Sequence, residues 1–494
     1  MLENPTALYA AFKAKDPRLD GRFFVGVSST GIYCRPVCPA KTPKIENCVF
    51  FPAPAAAEAA GYRPCLICRP ELAPEDKPKD AASILAFKVA LALEELDNAD
   101  NDAASLAPIA ARLGYSERHL SRVFTETYKV TPARFLLTKR LLLANSLLTD
   151  TNLSVLNVAL TAGFKSLRAF NEVFKKRYRL KPSELRPKKL EASPSPINSL
   201  DHTVTVNLGY RPPYQWETLI KFFAGRAIKG VEKVENDQYF RVARLKSVTG
   251  GMVEGWFSVA HNPSKNALAV TISESLVSAL PEVLARIKGQ FDLYGDPLAV
   301  DATLSSLNDL APGLLMSGTR VPGSFEPFEM TVRAVLGQQI TVKAAGTLAS
   351  KIATAYGQPV PTSQEGLNRL FPTPSMVLEL GSDLEDRFGQ LGVTAARSRT
   401  IRELARAFND ATINFNWPQN PDEEIKKLTA IKGIGPWTAG YIALRAMGHT
   451  DVILETDYGV KKALTPRTPK EILKLAEEWR PYRSYATVNL WNSL

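Results

Sequence analysis

The chain has 494 residues, about three times a typical domain, so its length predicts roughly three or four folding units rather than one undivided core. With 45% hydrophobic and 22% charged residues it has the balance of a globular protein, not of a disordered or fibrous one. The net charge is +11 and unevenly spread: residues 1–190 hold 29 Lys+Arg against 19 Asp+Glu, leaving 32 against 31 for residues 191–494. A basic N-terminal part fits a polyanion partner, because neutralising phosphates supplies most non-specific affinity for nucleic acid; a solvated basic face is the plainer alternative. No run approaches the ~18 apolar residues of a membrane helix, and MLENPTALYAAFKAKD lacks the apolar stretch of a signal peptide. A cytoplasmic, nucleoid-associated protein with no membrane partner is expected.

All five cysteines fall in the first 68 residues. Cys34-x3-Cys38 and Cys65-x2-Cys68 form two close pairs separated by 26 residues. Each pair can give two thiolates to one tetrahedral zinc ion, with Pro36, Pro39 and Pro64 stiffening the turns. Without a secretory signal, disulfides are not expected. Most four-thiolate zinc sites are structural staples, and spacing alone does not single out one cysteine. Cys48, alone in ENCVF, reads as a small core residue. The stretch FFVGVSSTGIYCRPVCPAKTPKIENCVFF with AAGYRPCLICRPE closely resembles the N-terminal domain of the Ada family of bacterial methylation-response regulators. The resemblance implies a domain over residues 1–75 in which Cys34, Cys38, Cys65 and Cys68 bind one zinc ion. It also implies that Cys34 accepts a methyl group from a methylphosphotriester in DNA. A zinc-bound sulfur stays a thiolate, the competent nucleophile towards a methyl carbon. Methylation removes one negative charge, which should strengthen binding to DNA.

Two stretches without apolar periodicity, PELAPEDKPKD (Pro70 to Asp80) and RPKKLEASPSPIN (Arg186 to Asn198), read as linkers. Between them the chain repeats itself. IAARLGYSERHLSRVFTETYKVTP recurs as VALTAGFKSLRAFNEVFKKRYRLKP, with Phe124, Tyr128 and Pro132 matching Phe174, Tyr178 and Pro182 at an offset of 50 residues. In the first unit Leu106, Ile109, Ala110 and Leu113 keep helical spacing, Gly114 permits a turn, Ser116 can cap the next helix, and Leu120, Val123 and Phe124 continue the stripe. The second repeats this around Gly163. A pair of plain helical hairpins would show the same pattern. With the closing KPSELR, the repeat resembles the AraC-type DNA-binding domain. The resemblance implies a double helix-turn-helix over residues 83–187 and a linker over 188–202. By position, Arg118, His119, Ser166 and Arg168 are candidates to reach bases in the major groove. Gene activation would make RNA polymerase a further partner.

The segments HTVTVNLGY and NALAVTI alternate like strands, and from about Phe325 the chain reads as almost wholly helical. Leu428, Ile431, Gly433, Gly435, Pro436 and Trp437 read as two apolar helices joined by a Gly-x-Gly turn, whose backbone N–H groups can hold a phosphate. An aspartate follows 20 residues after Trp437, and YRPPYQW, FEMTVRAVLGQQIT and WRPYRSYATVNLW lie around it in sequence. Together these resemble the helix-hairpin-helix glycosylase superfamily, in particular its AlkA-like 3-methyladenine DNA glycosylases. The resemblance implies an α+β subdomain over residues 203–307 and a helix-hairpin-helix domain over 308–494. It implies Asp457 as the catalytic group and a base pocket of Trp437, Tyr441, Tyr458, Trp491 and Phe222. Gly433, Gly435 and Gln339 would contact DNA, Gln339 standing where the family has an apolar wedge. Apart from the motif, Asp457 would read as a helix N-cap and the aromatic residues as core. Asp451, six residues earlier, reads as a loop or cap residue.

One carboxylate can suffice, since an anion stabilises an oxocarbenium-like sugar and alkylated purines are already cationic leaving groups. Strand-cutting relatives place a lysine where this chain has Trp437, so a monofunctional enzyme is expected. No cysteine follows residue 68, so no iron–sulfur cluster is expected. A PCHR-type acceptor motif is absent, so direct O6-alkylguanine repair is not expected either.

The sequence therefore describes a multidomain protein, mainly α with α+β parts. It would sense alkylation, bind promoter DNA as an activator, and excise alkylated purines from double-stranded DNA. The alternatives are a pure transcriptional regulator whose glycosylase half only binds DNA, and a repair enzyme whose sensor is only a zinc-stapled DNA clamp.

Overall fold

The computed structural model describes residues 4–75, 80–95, 105–186, 202–248, 250–415 and 420–494. All but the last residue of the 188–202 linker falls outside these segments. None of the described helices is long and apolar enough to cross a membrane.

Four short strands open the chain, in the order Cys48–Phe51, Phe24–Val27, Ile32–Cys34, Arg63–Pro64. The last two pair in parallel, Tyr33 opposite Pro64. That register delivers Cys34 and Cys65 to the same end of neighbouring strands, and the Cys65 N–H donates to the Tyr33 carbonyl at 3.0 Å.

The two repeats fold as helix-turn-helix units on either side of the long helix Pro132–Asp150. In the first, Ala107–Leu113 turns at Gly114 (φ 71°) into Glu117–Tyr128, and Ser116 caps that helix by accepting from the His119 N–H. In the second, Val155–Thr161 is followed by Gly163 and Leu167–Tyr178, with Ser166 accepting from the Ala169 N–H. Each second helix ends on a basic residue in the left-handed region, Lys129 (φ 60°) and Arg179 (φ 57°). The 50-residue repeat thus extends to the C-caps.

The next part is a five-stranded antiparallel sheet in the order Thr203–Gly209, Ala267–Ser273, Met252–Asn262, Gln238–Lys246, Glu232–Glu235. Thr203–Gly209 keeps its hydrophobic alternation, with Val204, Val206 and Leu208 buried. The helix Trp216–Ala224 contributes to the same core through Trp216, Leu219, Ile220 and Phe223. From Pro327 on, regular structure is helical apart from two isolated bridges. This region holds two apolar cores, one around Val335, Ile401 and Ile442 and the other around Leu444, Val460 and Trp479. Tyr441 packs against both, which puts one face of the helix Pro436–Ala446 at their seam.

The stretch from Pro70 was expected to be a linker, but through Glu75 it is packed. Pro70–Leu72 forms a 3₁₀ turn with Pro70, Leu72 and Pro74 buried. Two glycines allow the close approach: a Cβ on Gly21 would overlap the Pro74 carbonyl, and one on Gly209 the Leu72 carbonyl. Glu75 then receives Lys139 at 2.9 Å and Lys288 at 2.5 Å, and the buried Arg211 donates to the carbonyls of Asp20 and Glu75. The Cys-bearing part also meets the sheet part through Arg22 and Asp296, 2.6 Å apart and buried. It meets the helix-turn-helix part through Glu58, which accepts from Tyr33, Thr138 and Tyr178.

Candidate functional site

The sulfurs of Cys34, Cys38, Cys65 and Cys68 lie within 4.8 Å of one another, and all four residues are buried. The separation matches four thiolates arranged tetrahedrally about one zinc ion at about 2.3 Å each. The thiols interact strongly: hydrogen bonding among them pushes Cys34 up and pulls Cys65 down. Four sulfurs this close need a divalent cation to stay ionised together, so the donor set fits zinc. Burial does not distinguish Cys34 from the others. The Arg35 backbone N–H donates to Cys68 Sγ at 3.3 Å, while the Arg35 side chain is locked onto the Asp20 carboxylate. Cys48 sits apart, half-buried, its thiol directed to the Lys44 carbonyl at 3.4 Å.

On the helix-turn-helix units, Arg118, Ser166 and Arg168 are exposed at the starts of the two second helices. His119 is half-buried and stacks on Tyr115, ring centroids 5.2 Å apart. Lys165, Lys175 and Lys176 add exposed positive charge.

Asp457 is the N-cap of Tyr458–Ala463, its Oδ1 accepting from the N–H groups of Gly459 (2.9 Å) and Val460 (3.2 Å). Two indoles complete its shell: Trp491 donates to Oδ1 at 2.9 Å and Trp437 to Oδ2 at 3.1 Å. The capping role and a place among aromatic rings therefore coexist in one carboxylate. Trp437 stacks on Tyr441 at 5.3 Å, Tyr441 lies 6.2 Å from Trp491, and Trp491 stacks at 6.1 Å on Phe222, which reaches in from the helix beside the sheet. Four of the five expected pocket residues are thus brought together. Tyr458, 78% exposed, projects into solvent instead. Asp451 is held away from Asp457 by ion pairs to Arg480 (2.6 Å) and Arg483 (2.5 Å).

The helix-hairpin-helix is Pro421–Ala430 joined to Pro436–Ala446. Gly433 (φ 97°) must be glycine twice over, because a Cβ there would also overlap Thr400 Oγ1. Gln339 is exposed and itself left-handed (φ 56°). Its neighbour Gln338 donates to the Gly433 carbonyl at 2.9 Å and to Thr438 Oγ1 at 3.1 Å, tying the Gln339 loop to the hairpin. Gln338, Thr400, Arg226 and Arg445 were not singled out from sequence. The pairs Phe222/Arg226 and Tyr441/Arg445, each four residues apart, were the available signal for the two arginines.

Three family models match the chain: the metal binding domain of Ada over residues 7–71, a helix-turn-helix domain over 109–188, and the AlkA N-terminal domain over 205–326. The protein named "Probable bifunctional transcriptional activator/DNA repair enzyme AlkA" of Mycobacterium tuberculosis is 32% identical over 491 residues, covering 98% of this chain and 96% of that one. The chain belongs to this AlkA-type bifunctional activator/repair family. Two further relatives cover its parts. DNA-3-methyladenine glycosylase 2 of Escherichia coli is 33% identical over 284 residues, spanning 58% of this chain and 95% of that one. The bifunctional transcriptional activator/DNA repair enzyme Ada of E. coli is 36% identical over 124 residues, spanning 24% and 31%. Against this family, the four-cysteine cluster falls in the stretch matched by the Ada metal-binding model and Phe222 in that of the AlkA N-terminal model.

Proposed function

We propose that the chain is an alkylation-damage response protein with a division of labour along its length. Residues 1–75 hold zinc and accept a methyl from DNA methylphosphotriesters at Cys34, and residues 83–187 bind promoter DNA as an activator working with RNA polymerase. Residues 203–307 and 308–494 together form a monofunctional DNA-3-methyladenine glycosylase. The observation that carries the enzymatic reading is the Asp457 carboxylate, gripped by two indoles beside Tyr441 and Phe222.

A target base flipped out of the duplex stacks among these rings, and Gln339 fills the space it leaves. As the C1′–N bond lengthens, its electron pair departs with the base and positive charge builds on the sugar. The Asp457 carboxylate, fixed before the base arrives, stabilises that charge and orients water towards C1′. Trp437 offers no amine, so water is the nucleophile and an abasic site remains. Gly433 and Gly435 grip the phosphate backbone through N–H groups.

In the sensor, Cys34, Cys38, Cys65 and Cys68 would hold a zinc ion, which keeps their sulfurs as thiolates. Cys34 Sγ then attacks the methyl carbon and the electron pair of the broken C–O bond returns to the phosphate oxygen, leaving a thioether and a phosphodiester. The decisive experiment is base release from methylated duplex DNA by the purified protein, with methyl transfer followed in parallel. Release above the uncatalysed rate supports the enzymatic reading; its absence refutes it.

A further inference from the structure

The loop between the helices Pro327–Leu336 and Val342–Tyr356 holds Gln339 in a conformation that a glutamine does not choose for itself. At φ 56° a residue with a Cβ stays only where its surroundings keep it. Here the restraint acts on the residue before it. The side-chain amide of Gln338 donates to the Gly433 carbonyl at 2.9 Å and to Thr438 Oγ1 at 3.1 Å. A carbonyl can only accept, so the amide nitrogen must face the hairpin. From the other side Arg397 donates to the Gln338 carbonyl. That carbonyl belongs to the peptide plane leading into Gln339, so the guanidinium fixes the plane from which the exposed Gln339 side chain starts.

The helix that carries Arg397, Ala395–Asn409, carries Thr400 one turn further on, and Thr400 Oγ1 donates to the Lys432 carbonyl at 2.9 Å. Two successive carbonyls of the hairpin turn, Lys432 and Gly433, are thus occupied by donors of the protein itself. Directed at these donors, their oxygens are kept from repelling a phosphate. Thr438 in turn neighbours Trp437, whose indole holds Asp457 Oδ2. One set of hydrogen bonds therefore joins the Gln339 loop, the hairpin turn and the helix that leads to the carboxylate. Extruding a base requires the wedge to enter the stack at the step whose backbone the hairpin holds, and a side chain serves there only if its support is rigid. Gln338 and Arg397 are that support.

We propose that Gln338 and Arg397 are positioning residues that hold the Gln339 wedge in register with the hairpin, so that base extrusion is tied to the grip on the DNA backbone. The inference rests on the glycosylase reading of Asp457 and on Gln339 as the wedge. Its test is single-turnover release of 7-methylguanine by the full-length protein from two duplexes. In one the lesion is paired with cytosine; in the other it stands opposite an abasic-site analogue, where no partner base has to be parted from it. Gln338→Met and Arg397→Met should each slow release from the paired duplex by about tenfold or more, and by less than about threefold from the unpaired one. Arg397→Lys, which keeps a donor, should stay within about threefold of wild type on both. Because Gln338 acts through Gln339, the double variant Gln338→Met/Gln339→Ala should be no slower than the slower of its two single variants. The two methionine variants lie on different elements, so a folding failure of one, seen by circular dichroism, leaves the other informative. Equal slowing on both duplexes, an unmoved paired rate, or additive losses in the double variant overturns the inference. Gln339→Ala at the wild-type rate on the paired duplex overturns the wedge and the inference with it. A wild type that releases the base from neither duplex overturns the glycosylase reading itself.

Discussion

The indole N–H of Trp437 donates to Asp457 Oδ2 at 3.1 Å, the one donor on that oxygen among the described residues, whereas Oδ1 accepts from Trp491, Gly459 and Val460. The carboxylate cannot rotate, and the acceptor capacity left for a sugar or a water lies mainly on Oδ2. An asparagine could keep the cap through its oxygen, but its amide would then face the Trp437 N–H, donor against donor. Asp457→Asn should therefore lower base release by about a hundredfold or more while costing about 1 kcal/mol of stability. Single-turnover kinetics beside thermal melts would check this: wild-type rates would remove Asp457 from the chemistry, and a loss that follows unfolding would leave it only a cap.

Methyl transfer should be confined to one sulfur. After incubation with methylphosphotriester-containing DNA, peptide mass spectrometry should find one methyl on Cys34 and none on Cys38, Cys65 or Cys68. Cys34→Ala should still bind DNA weakly yet lose the gain in affinity that methylation confers. A methyl found on another cysteine would reassign the acceptor.

The DNA product should be an intact abasic strand. Lys432 precedes the hairpin turn, and Lys461 and Lys462 are exposed on the short helix that Asp457 caps. Borohydride added during turnover of alkylated duplex should therefore trap no protein–DNA adduct while base release continues. An adduct forming at the rate of base release would mean that one of these lysines attacks C1′.

Glu58 should make stability depend on pH. Burial raises its carboxyl to about 7, an effect that the hydrogen bonds from Thr138, Tyr178 and Tyr33 only partly offset. The folded protein thus binds this proton more tightly than the unfolded chain. The Glu58 contribution is fully present below the unfolded value near 4.5 and is lost as pH rises to about 7 and beyond, by about 3 kcal/mol in all. Melting temperatures followed from pH 5 to pH 8 should show this loss in wild type, and Glu58→Gln should flatten that part of the profile. A wild-type profile unchanged by the substitution would show that Glu58 does not titrate in this range.

Local features were legible in the sequence because their signals are local. Ser116 and Ser166 cap where the pattern puts them, and the two cysteine pairs converge because a short parallel register carries Cys34 and Cys65 to one edge. Asp457, Trp437, Tyr441, Trp491 and Phe222 also come together. What escaped depends on partners far away in the chain. Pro70 to Glu75 has a linker's composition, yet it is buried because Gly21 and Gly209 leave room for its carbonyls. Arg226 and Arg445 look like ordinary surface charges until the rings they cover are known. Tyr458 was expected among the pocket aromatics, but the first residue after an N-cap points outwards here.

The packing of Pro70 to Glu75 bears on how far the parts of this chain can be separated. Asp20 and Glu75 lend their carbonyls to Arg211, and Glu75 answers Lys288, so the boundary between these parts of the chain is shared interior. A chain without its first eighty residues would keep Arg211 and Lys288 but lose the Asp20 and Glu75 carbonyls and the Glu75 carboxylate that they meet here. The cysteine-bearing part and the sheet part therefore cannot be separated at this point without exposing polar groups that each now satisfies for the other.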